Sequence, residues 1–535
     1  MRRPTALVLL AALAAAPSLT ASAQDGLTID RDRLDRRPAQ TLPQTAAPVV
    51  GAATAPADTV APFVLRAVSV QGSRLGEARI AAAVQPFIGQ TLDGAGLARL
   101  RAAVLAAYAD APFALPVVSL DARRAAEGVV TVTAVEGRVG RAAIYGEVDG
   151  GVELIRRYAL RLTSEAPLTR RTAERYFSLI ADIPGTKTTL KSAPSATPGA
   201  VDLGFEVDQT RWEYVLGLNN RGSRVLGRTQ WTASATLNRA FRLGDQTRLA
   251  LTVPNDIERF QYLTFSHRQP VGYDGAALGV QAGHLRTRLP SGIEGDATSA
   301  GLIFSWPMIR SYRTNLVLSG GLDGLNSDNA VFGDQISTER TRAARASAAW
   351  SRVAPRMTLG ASGTVSQGID GLGARPSPFS DAGFTKVNAR FEAVRAIGRS
   401  VRLSGAVTGQ WSDDAVPTSE LFSLGGGEFG KAFSSALLVG DSGYGVKAEA
   451  AWRPQALPNP VRGSEVYVFG DTGEVRVNSR AGLPGVKASL ASAGAGLRLA
   501  ITDRAVIEVE GARAVDNPDP NGDDWRLGLG VTARF

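Results

Sequence analysis

The 535-residue chain carries 59 basic against 50 acidic side chains, a formal net charge of +9, two histidines and no cysteine. Without cysteine, disulfide stapling, thiolate metal sites and thiol catalysis are excluded. The arginines are scattered, so the basic, aromatic-interleaved face that nucleic acid requires is absent as well.

At the N-terminus, Met1-Arg2-Arg3 precedes an apolar, alanine-rich run from Ala6 to about Pro17 and then Ala21-Ser22-Ala23, which predicts a secretory signal peptide over 1–23. That run is shorter than the ~20 residues a spanning helix needs. No later run is long and apolar enough for a membrane helix, so membrane insertion has to use a closed sheet with its backbone groups paired internally. Residues 24–61 read as a short N-terminal helix over Ile29 to Arg37, stopped by Pro38, and a Pro/Ala-rich linker. For the helical part a solvated charge run is the alternative.

Residues 62–139 change character. A strand ends at Gly72, Glu77 to Gln85 reads as a helix stopped by Pro86, and Asp93 caps a second helix with Leu97, Leu100, Val104 and Tyr108 at helical spacing. Strands around Leu115 to Leu120 and over GVVTVTAVEG complete a β-α-α-β-β order. Residues 140–209 repeat that order: a strand at Ala142 to Tyr145, helices at Val152 to Arg161 and Thr172 to Asp182, a break at Pro184-Gly185, then two strands. Two tandem α+β modules are expected. Periodicity alone leaves a single soluble binding domain as the alternative.

From about 210 to 535 the period becomes two. Trp212, Tyr214, Leu216 and Leu218 alternate with Glu213, Val215, Gly217 and Asn219, and the last segment sets Trp525, Leu527, Leu529, Val531 and Phe535 against Arg526, Gly528 and Arg534. Recurring alternating segments of roughly ten residues with aromatics near their ends predict a membrane β-barrel. At about twenty residues per strand plus connection, the length suits about 16 antiparallel strands around an aqueous channel. His267 and His284 fall in different predicted strands without metal-ligand spacing, and no G-x-S-x-G, Walker or H-E-x-x-H motif occurs. No metal, cofactor or catalytic residue is expected, and the chain does not read as an enzyme.

One stretch is too polar and glycine-dense for a strand: Leu421 to Gly445, LFSLGGGEFGKAFSSALLVGDSGYG. Its lead Phe422-Ser423-Leu424-Gly425-Gly426, its tip Gly430-Lys431-Ala432-Phe433, and its exit Gly440-Asp441-Ser442-Gly443 stand ahead of Phe469-Gly470-Asp471-Thr472-Gly473. Leu218-Asn219-Asn220-Arg221-Gly222-Ser223, Trp306-Pro307-Met308-Ile309-Arg310-Ser311, Val135-Glu136-Gly137 and Ile183-Pro184-Gly185 occur in the same order as in a known family. In these residues the chain resembles the TpsB-type outer-membrane translocators of two-partner secretion, the haemolysin secretion/activation proteins.

The resemblance implies two POTRA domains at 62–139 and 140–209, a barrel at 210–535, and loop 421–443 folded into its lumen. It implies that Lys431, where the family has arginine, is anchored on Asp471 of the wall, with Gly425, Gly426, Gly430 and Phe433 shaping the loop and Phe469 and Gly473 the wall motif. Read from spacing alone, Lys431 is an exposed loop lysine and Asp471 a lumen-facing strand residue. Phe535 resembles the terminal signal by which barrels are recognised for insertion. The implied activity is export of a large TpsA-like exoprotein, captured by the POTRA domains in the periplasm and passed through the outer membrane without ATP. The implied partners are that exoprotein, the barrel-assembly machinery and outer-membrane lipid. An outer-membrane assembly insertase shares the POTRA-plus-barrel plan and is the alternative.

Overall fold

The computed structural model describes residues 60–146, 152–332, 334–459, 461–480, 482–519 and 522–535. The expected signal peptide at 1–23, the charged stretch at 29–37 and the linker up to 59 lie outside the described residues.

The first module contains β1 (Phe63–Val64), β2 (Ala67–Gln71), α1 (Glu77–Val84), β3 (Thr91–Leu92), α2 (Gly94–Ala107), β4 (Pro116–Asp121) and β5 (Val129–Glu136). The sheet order is β2-β5-β4, with β2 parallel and β4 antiparallel to the central strand. The single strand expected up to Gly72 is broken in two. Leu65 turns fully into the core, and its N–H donates to the Gln90 carbonyl (2.9 Å) so that β1 pairs with β3, after which the Arg66 N–H switches to the Gly128 carbonyl (2.7 Å). The predicted cap forms: the Asp93 carboxylate accepts from the Gly96 N–H at 2.7 Å. Alternation in β5 sends Val130, Val132 and Ala134 onto Leu100 and Val104 of α2. Leu100 is fully buried, so Leu100→Ala is expected to cost this module about 2–5 kcal/mol. Hydrogen exchange should then show β5 losing protection at lower urea while barrel amides keep theirs.

Glu136, at the end of β5, holds the turn that follows β2. Its Oε1 accepts from the Arg74 N–H (2.7 Å) and the Tyr108 hydroxyl (3.0 Å). Burial, with the bond to Glu136 acting in the same sense, pushes the Tyr108 phenol up to about 12, so it stays a neutral donor.

The second module repeats the plan with β6 (Arg138–Tyr145), α3 (Glu153–Thr163), α4 (Arg170–Ala181), β7 (Thr186–Pro194) and β8 (Ala200–Gln209). Its order is β6-β8-β7, again with one parallel and one antiparallel neighbour of the central strand. The expected helical face of α4 is buried through Ala173, Tyr176, Phe177 and Ile180 against Phe205 and Val207 of β8. Strand β6 begins two residues after β5 ends, ahead of the 139/140 division expected from sequence. The modules are stitched together there: Leu168 N–H donates to the Gly137 carbonyl (3.0 Å), and Ala114 N–H to the Leu168 carbonyl (3.0 Å).

Among the described residues, sixteen antiparallel strands close a barrel. They are β9 (Trp212–Asn219), β10 (Gln230–Asn238), β11 (Gln246–Pro254), β12 (Phe260–Pro270), β13 (Ala277–Arg288), β14 (Ile293–Arg310), β15 (Thr314–Val331), β16 (Asp334–Ala354), β17 (Met357–Gly368), β18 (Thr385–Ile397) and β19 (Val401–Trp411), followed after a loop by β22 (Ser442–Trp452), β23 (Glu465–Val477), β24 (Val486–Thr502), β25 (Ala505–Asp516) and β26 (Trp525–Arg534). The loop contains β20 (Phe422–Leu424) and β21 (Leu438–Gly440), which pair only with each other.

Closure is made by β26 on β9, from Gly530 opposite Asn219 to Arg534 opposite Val215. The terminal Phe535 extends this ladder by exchanging backbone hydrogen bonds with Tyr214 at 2.9 and 3.2 Å. Trp212, Tyr214, Leu216, Leu527, Leu529 and Val531 all point outward and are exposed. Burying one large apolar side chain is worth about 1.5–3 kcal/mol, so such a ring calls for hydrocarbon around it. Among the described residues no helix is long and apolar enough to cross a membrane.

The second module is fastened to one rim of the barrel. Arg310, at the end of β14, places two guanidinium nitrogens on the Asp182 carboxylate at the end of α4, both at 2.6 Å. Arg175 of α4 donates to the Asp274 carboxylate (2.8 Å) and to the Pro307 carbonyl (2.9 Å). Leu243, in the turn between β10 and β11, completes the hydrophobic core of the module.

Candidate functional site

The segment between β19 and β22 is drawn into the lumen because its side chains build a core there. Phe422, Leu424, Phe429, Ala432, Phe433 and Leu438 pack with Tyr467, Phe469 and Val475 of β23, Leu490 of β24 and Ala512 of β25. Alternation along β23 sends Glu465, Tyr467, Phe469 and Asp471 inward and Val466 and Val468 outward. A strand that faces water in an open pore thus carries two buried aromatic rings, which the loop covers.

Each glycine of the loop motif meets a steric demand. Gly425 (φ +110°), Gly426 (φ +100°) and Gly430 (φ +78°) all lie in the left-handed region, and a Cβ on Gly425 would stand 2.2 Å from the Ser434 carbonyl oxygen. Gly473 of the wall motif leaves the space that Leu424 occupies, since a Cβ there would lie 2.7 Å from a Leu424 methyl and 2.4 Å from the Tyr444 carbonyl oxygen.

Lys431 and Asp471 come together at the tip, both less than a tenth exposed, but not through an ion pair of their side chains. The Asp471 oxygens accept from the Gly430 N–H (2.7 Å), the Lys431 N–H (3.4 Å) and the Ser492 hydroxyl (2.8 Å). The Lys431 ammonium passes over the Phe469 ring, 4.1 Å from its centroid, to the Glu510 carboxylate of β25 at 2.5 Å. The expected pairing of the Lys431 side chain with Asp471 is therefore corrected to Glu510. The reason is geometric: Asp471 is already satisfied by two short donors and a longer third, whereas an ammonium on a flexible stem reaches past it.

Glu510 is the hub that sequence reading missed. It is 1 % exposed and also accepts from Arg221 (3.0 Å) and from the Tyr467 hydroxyl (2.7 Å). Its signal in the sequence is the alternation of Glu508 and Glu510 with Ile507 and Val509, which puts two carboxylates on the lumen face of one strand. Arg221 belongs to a quoted motif, yet nothing in spacing links it to residue 510. Arg526 of β26 adds a bond to the Phe433 carbonyl (2.6 Å), and Glu428 holds Arg390 of β18 (2.5 Å) and Lys447 of β22 (3.3 Å). Beside the tip lies a charged band in which Arg498 bridges Glu449 (2.8 Å), Glu465 (2.9 Å) and Glu508 (3.2 Å). Phe535 is remote from this site, at the seam.

Among the described residues no cluster of His, Asp or Glu could hold a metal ion. The arrangement fixes the loop to the inner wall of the barrel through packed aromatic rings and buried charge contacts.

Comparison with known proteins bears on the first module and on most of the barrel. Residues 201–499 match the family described as haemolysin secretion/activation protein ShlB/FhaC/HecB, and residues 63–137 match the ShlB-type POTRA domain. The heme/hemopexin transporter protein HuxB of Haemophilus influenzae is 20% identical over 471 residues, covering 84% of this chain and 82% of that protein. Among solved structures, CdiB from Escherichia coli superposes with a TM-score of 0.70 at 18% identity, covering 97% of this chain and 99% of that one. BamA from Haemophilus ducreyi, lacking POTRA domains 1–3, gives a TM-score of 0.56 at 12% identity over 89% of this chain and all of that one. Since the family match spans more than half of its length, the chain belongs to the haemolysin secretion/activation proteins ShlB/FhaC/HecB, transporters rather than enzymes, which export the exoprotein of a two-partner secretion system.

Proposed function

We propose that the barrel lumen is the path of the exoprotein, taken as an extended chain from periplasm to cell surface, and that loop 421–443 closes this path at rest. One observation carries the reading: a loop held by both aromatic and ionic contacts lies against the inner wall of a closed barrel. The sequence offers no nucleotide-binding loop, so folding of the cargo outside is the driving force that fits. In this reading 1–23 is a cleaved signal and 24–61 a helix and linker, while 62–139 and 140–209 are periplasmic POTRA domains ahead of an outer-membrane barrel at 210–535.

Recognition is assigned to the POTRA pair. Strand β2 lies at a sheet edge with Val70 exposed, which suits addition of one cargo strand through backbone hydrogen bonds. A photo-crosslinker placed at residue 70 of the full chain is expected to trap the exoprotein during export. If adducts form only at barrel positions, recognition by this edge is wrong.

Outer-membrane lipid contacts the outward apolar ring, and Phe535 serves the assembly machinery as the insertion signal. Deleting Phe535 also removes its two backbone bonds to Tyr214 at the seam. The inserted, heat-modifiable fraction should fall several-fold with synthesis unchanged; equal insertion would deny Phe535 that role.

A further inference from the structure

We propose that Glu420 is a second latch of the lumenal loop, a positioning residue that fastens its neck to strands β16 and β18, apart from the tip contacts on β23 and β25; this rests on the loop being what closes the pore. The chain turns into the lumen through the short helical turn Thr418–Glu420, and the two limbs then pair as β20 and β21 before the exit at Asp441. Glu420 is 2 % exposed. Its carboxylate receives two nitrogens of Arg345 in β16, at 2.6 and 3.0 Å, and the ammonium of Lys386 in β18 at 2.8 Å.

Each of these cations is held in turn. Arg345 also reaches Asp323 of β15 (3.0 Å) and Ser366 of β17 (2.8 Å), so two cations and two carboxylates balance in one buried cluster. Lys386 donates to the Glu420 carbonyl at 3.0 Å. Gln410 of β19 ties the limbs to each other, its amide nitrogen donating to the carbonyls of Glu420 (2.8 Å) and Asp441 (3.0 Å). Asp441, fully buried, accepts from the Val416 N–H (2.9 Å) and the Asn478 N–H (2.7 Å) and pairs with Arg480.

In the ring of sixteen strands, β16 with Arg345 and β18 with Lys386 stand seven and five strands from β25, which carries Glu510. The loop is therefore a strap laid along the β22–β25 side of the lumen, with one ionic fastening at its neck and one at its tip. A strap freed only at its tip still hangs from the neck. One freed only at the neck loses its position at the mouth while the tip stays bound. Each end accordingly contributes its own share to closure, and buried charge contacts suit the task because they hold firmly when matched and lose their advantage once water enters.

The test is the open probability of the full chain in planar bilayers. Glu420→Gln, which keeps shape and removes the charge shared by Arg345 and Lys386, is expected to raise it at least roughly tenfold with the tip intact. Glu420→Asp, which keeps the charge, should fall closer to the parent. Lys386→Gln should open the pore in the same direction, and the Glu420→Gln/Lys386→Gln pair should open it less than the two single effects combined, because both remove the same ion pair. Combining Glu420→Gln with Lys431→Gln should exceed either single change. A Glu420→Gln pore as closed as the parent, beside a Lys431→Gln pore that opens, overturns the second latch. If neither opens, the reading of the loop as the closure falls with it. Should Glu420→Gln fail to insert, a closed Lys386→Gln pore overturns the proposal in its place.

Discussion

Replacing Glu510 by alanine is expected to release the loop tip while the barrel still inserts and remains heat-modifiable. Glu510 is the shared acceptor of the Lys431 ammonium, the Arg221 guanidinium and the Tyr467 hydroxyl, and almost none of it reaches solvent. Its removal leaves a buried ammonium facing an aromatic ring with its carboxylate gone, a loss of about 3–5 kcal/mol for a broken buried pair. The chain has no cysteine, so a single Ser434→Cys near the tip reports opening without background. Its labelling rate should rise by roughly two to nearly four orders of magnitude in the Glu510→Ala background, in proportion to the population of open tips. Asp471→Ala removes acceptors for two backbone N–H groups and one hydroxyl but no buried counter-ion, so its cost is about 1–3 kcal/mol and its labelling smaller. It should still impair export. A larger effect from Asp471→Ala than from Glu510→Ala would show that the backbone contacts, not the ammonium, hold the tip.

Arg310→Ala is expected to detach the second module from the barrel rim without unfolding either. The guanidinium is 2 % exposed and makes a two-pronged contact with Asp182, while a third nitrogen contact goes to the Asn315 side chain at 2.9 Å. Asp182 keeps about a quarter of its side chain in water, so the loss is set at about 2–4 kcal/mol, below that of a fully buried pair. Hydrogen exchange should show lost protection at the end of α4 and around Asp274, with β8 unchanged. Arg310→Lys should recover less than half of the effect, because a point charge cannot make both prongs at once. Unchanged exchange at α4 would mean that Arg175 and the apolar contacts at Leu243 suffice to hold the module.

Much of this architecture was legible before any coordinates. The switch from helical spacing to a period of two near residue 210, the Asp93 cap and the buried face of α4 follow from local chemistry, and the structure carries each of them; the expected β-α-α-β-β order holds in the second module, while the first inserts β3 between its helices. The break of the first strand at Leu65 was not legible, because it arises from a partner, the Gln90 carbonyl, that lies in another element. The role of Arg310 was hidden in the same way. Its motif reads as part of a barrel strand, and only the docking of α4 shows that the side chain serves the module below.

The loop site divides along the same line. Glycine density, the Phe-x-Asp-x-Gly strand and the lysine at the loop tip named the participants Gly425, Gly430, Lys431, Asp471 and Gly473, since motif residues are fixed by what a backbone can do locally and by family resemblance. Which carboxylate takes the ammonium was decided only by the tertiary structure. Glu510 is 79 residues from Lys431 along the chain, and the two meet because barrel closure curls β25 toward the lumen that the loop occupies. A sequence sets the supply of charges on each strand face through its period of two; closure of the sheet sets the distances across the lumen, and it is distance that selects the partner.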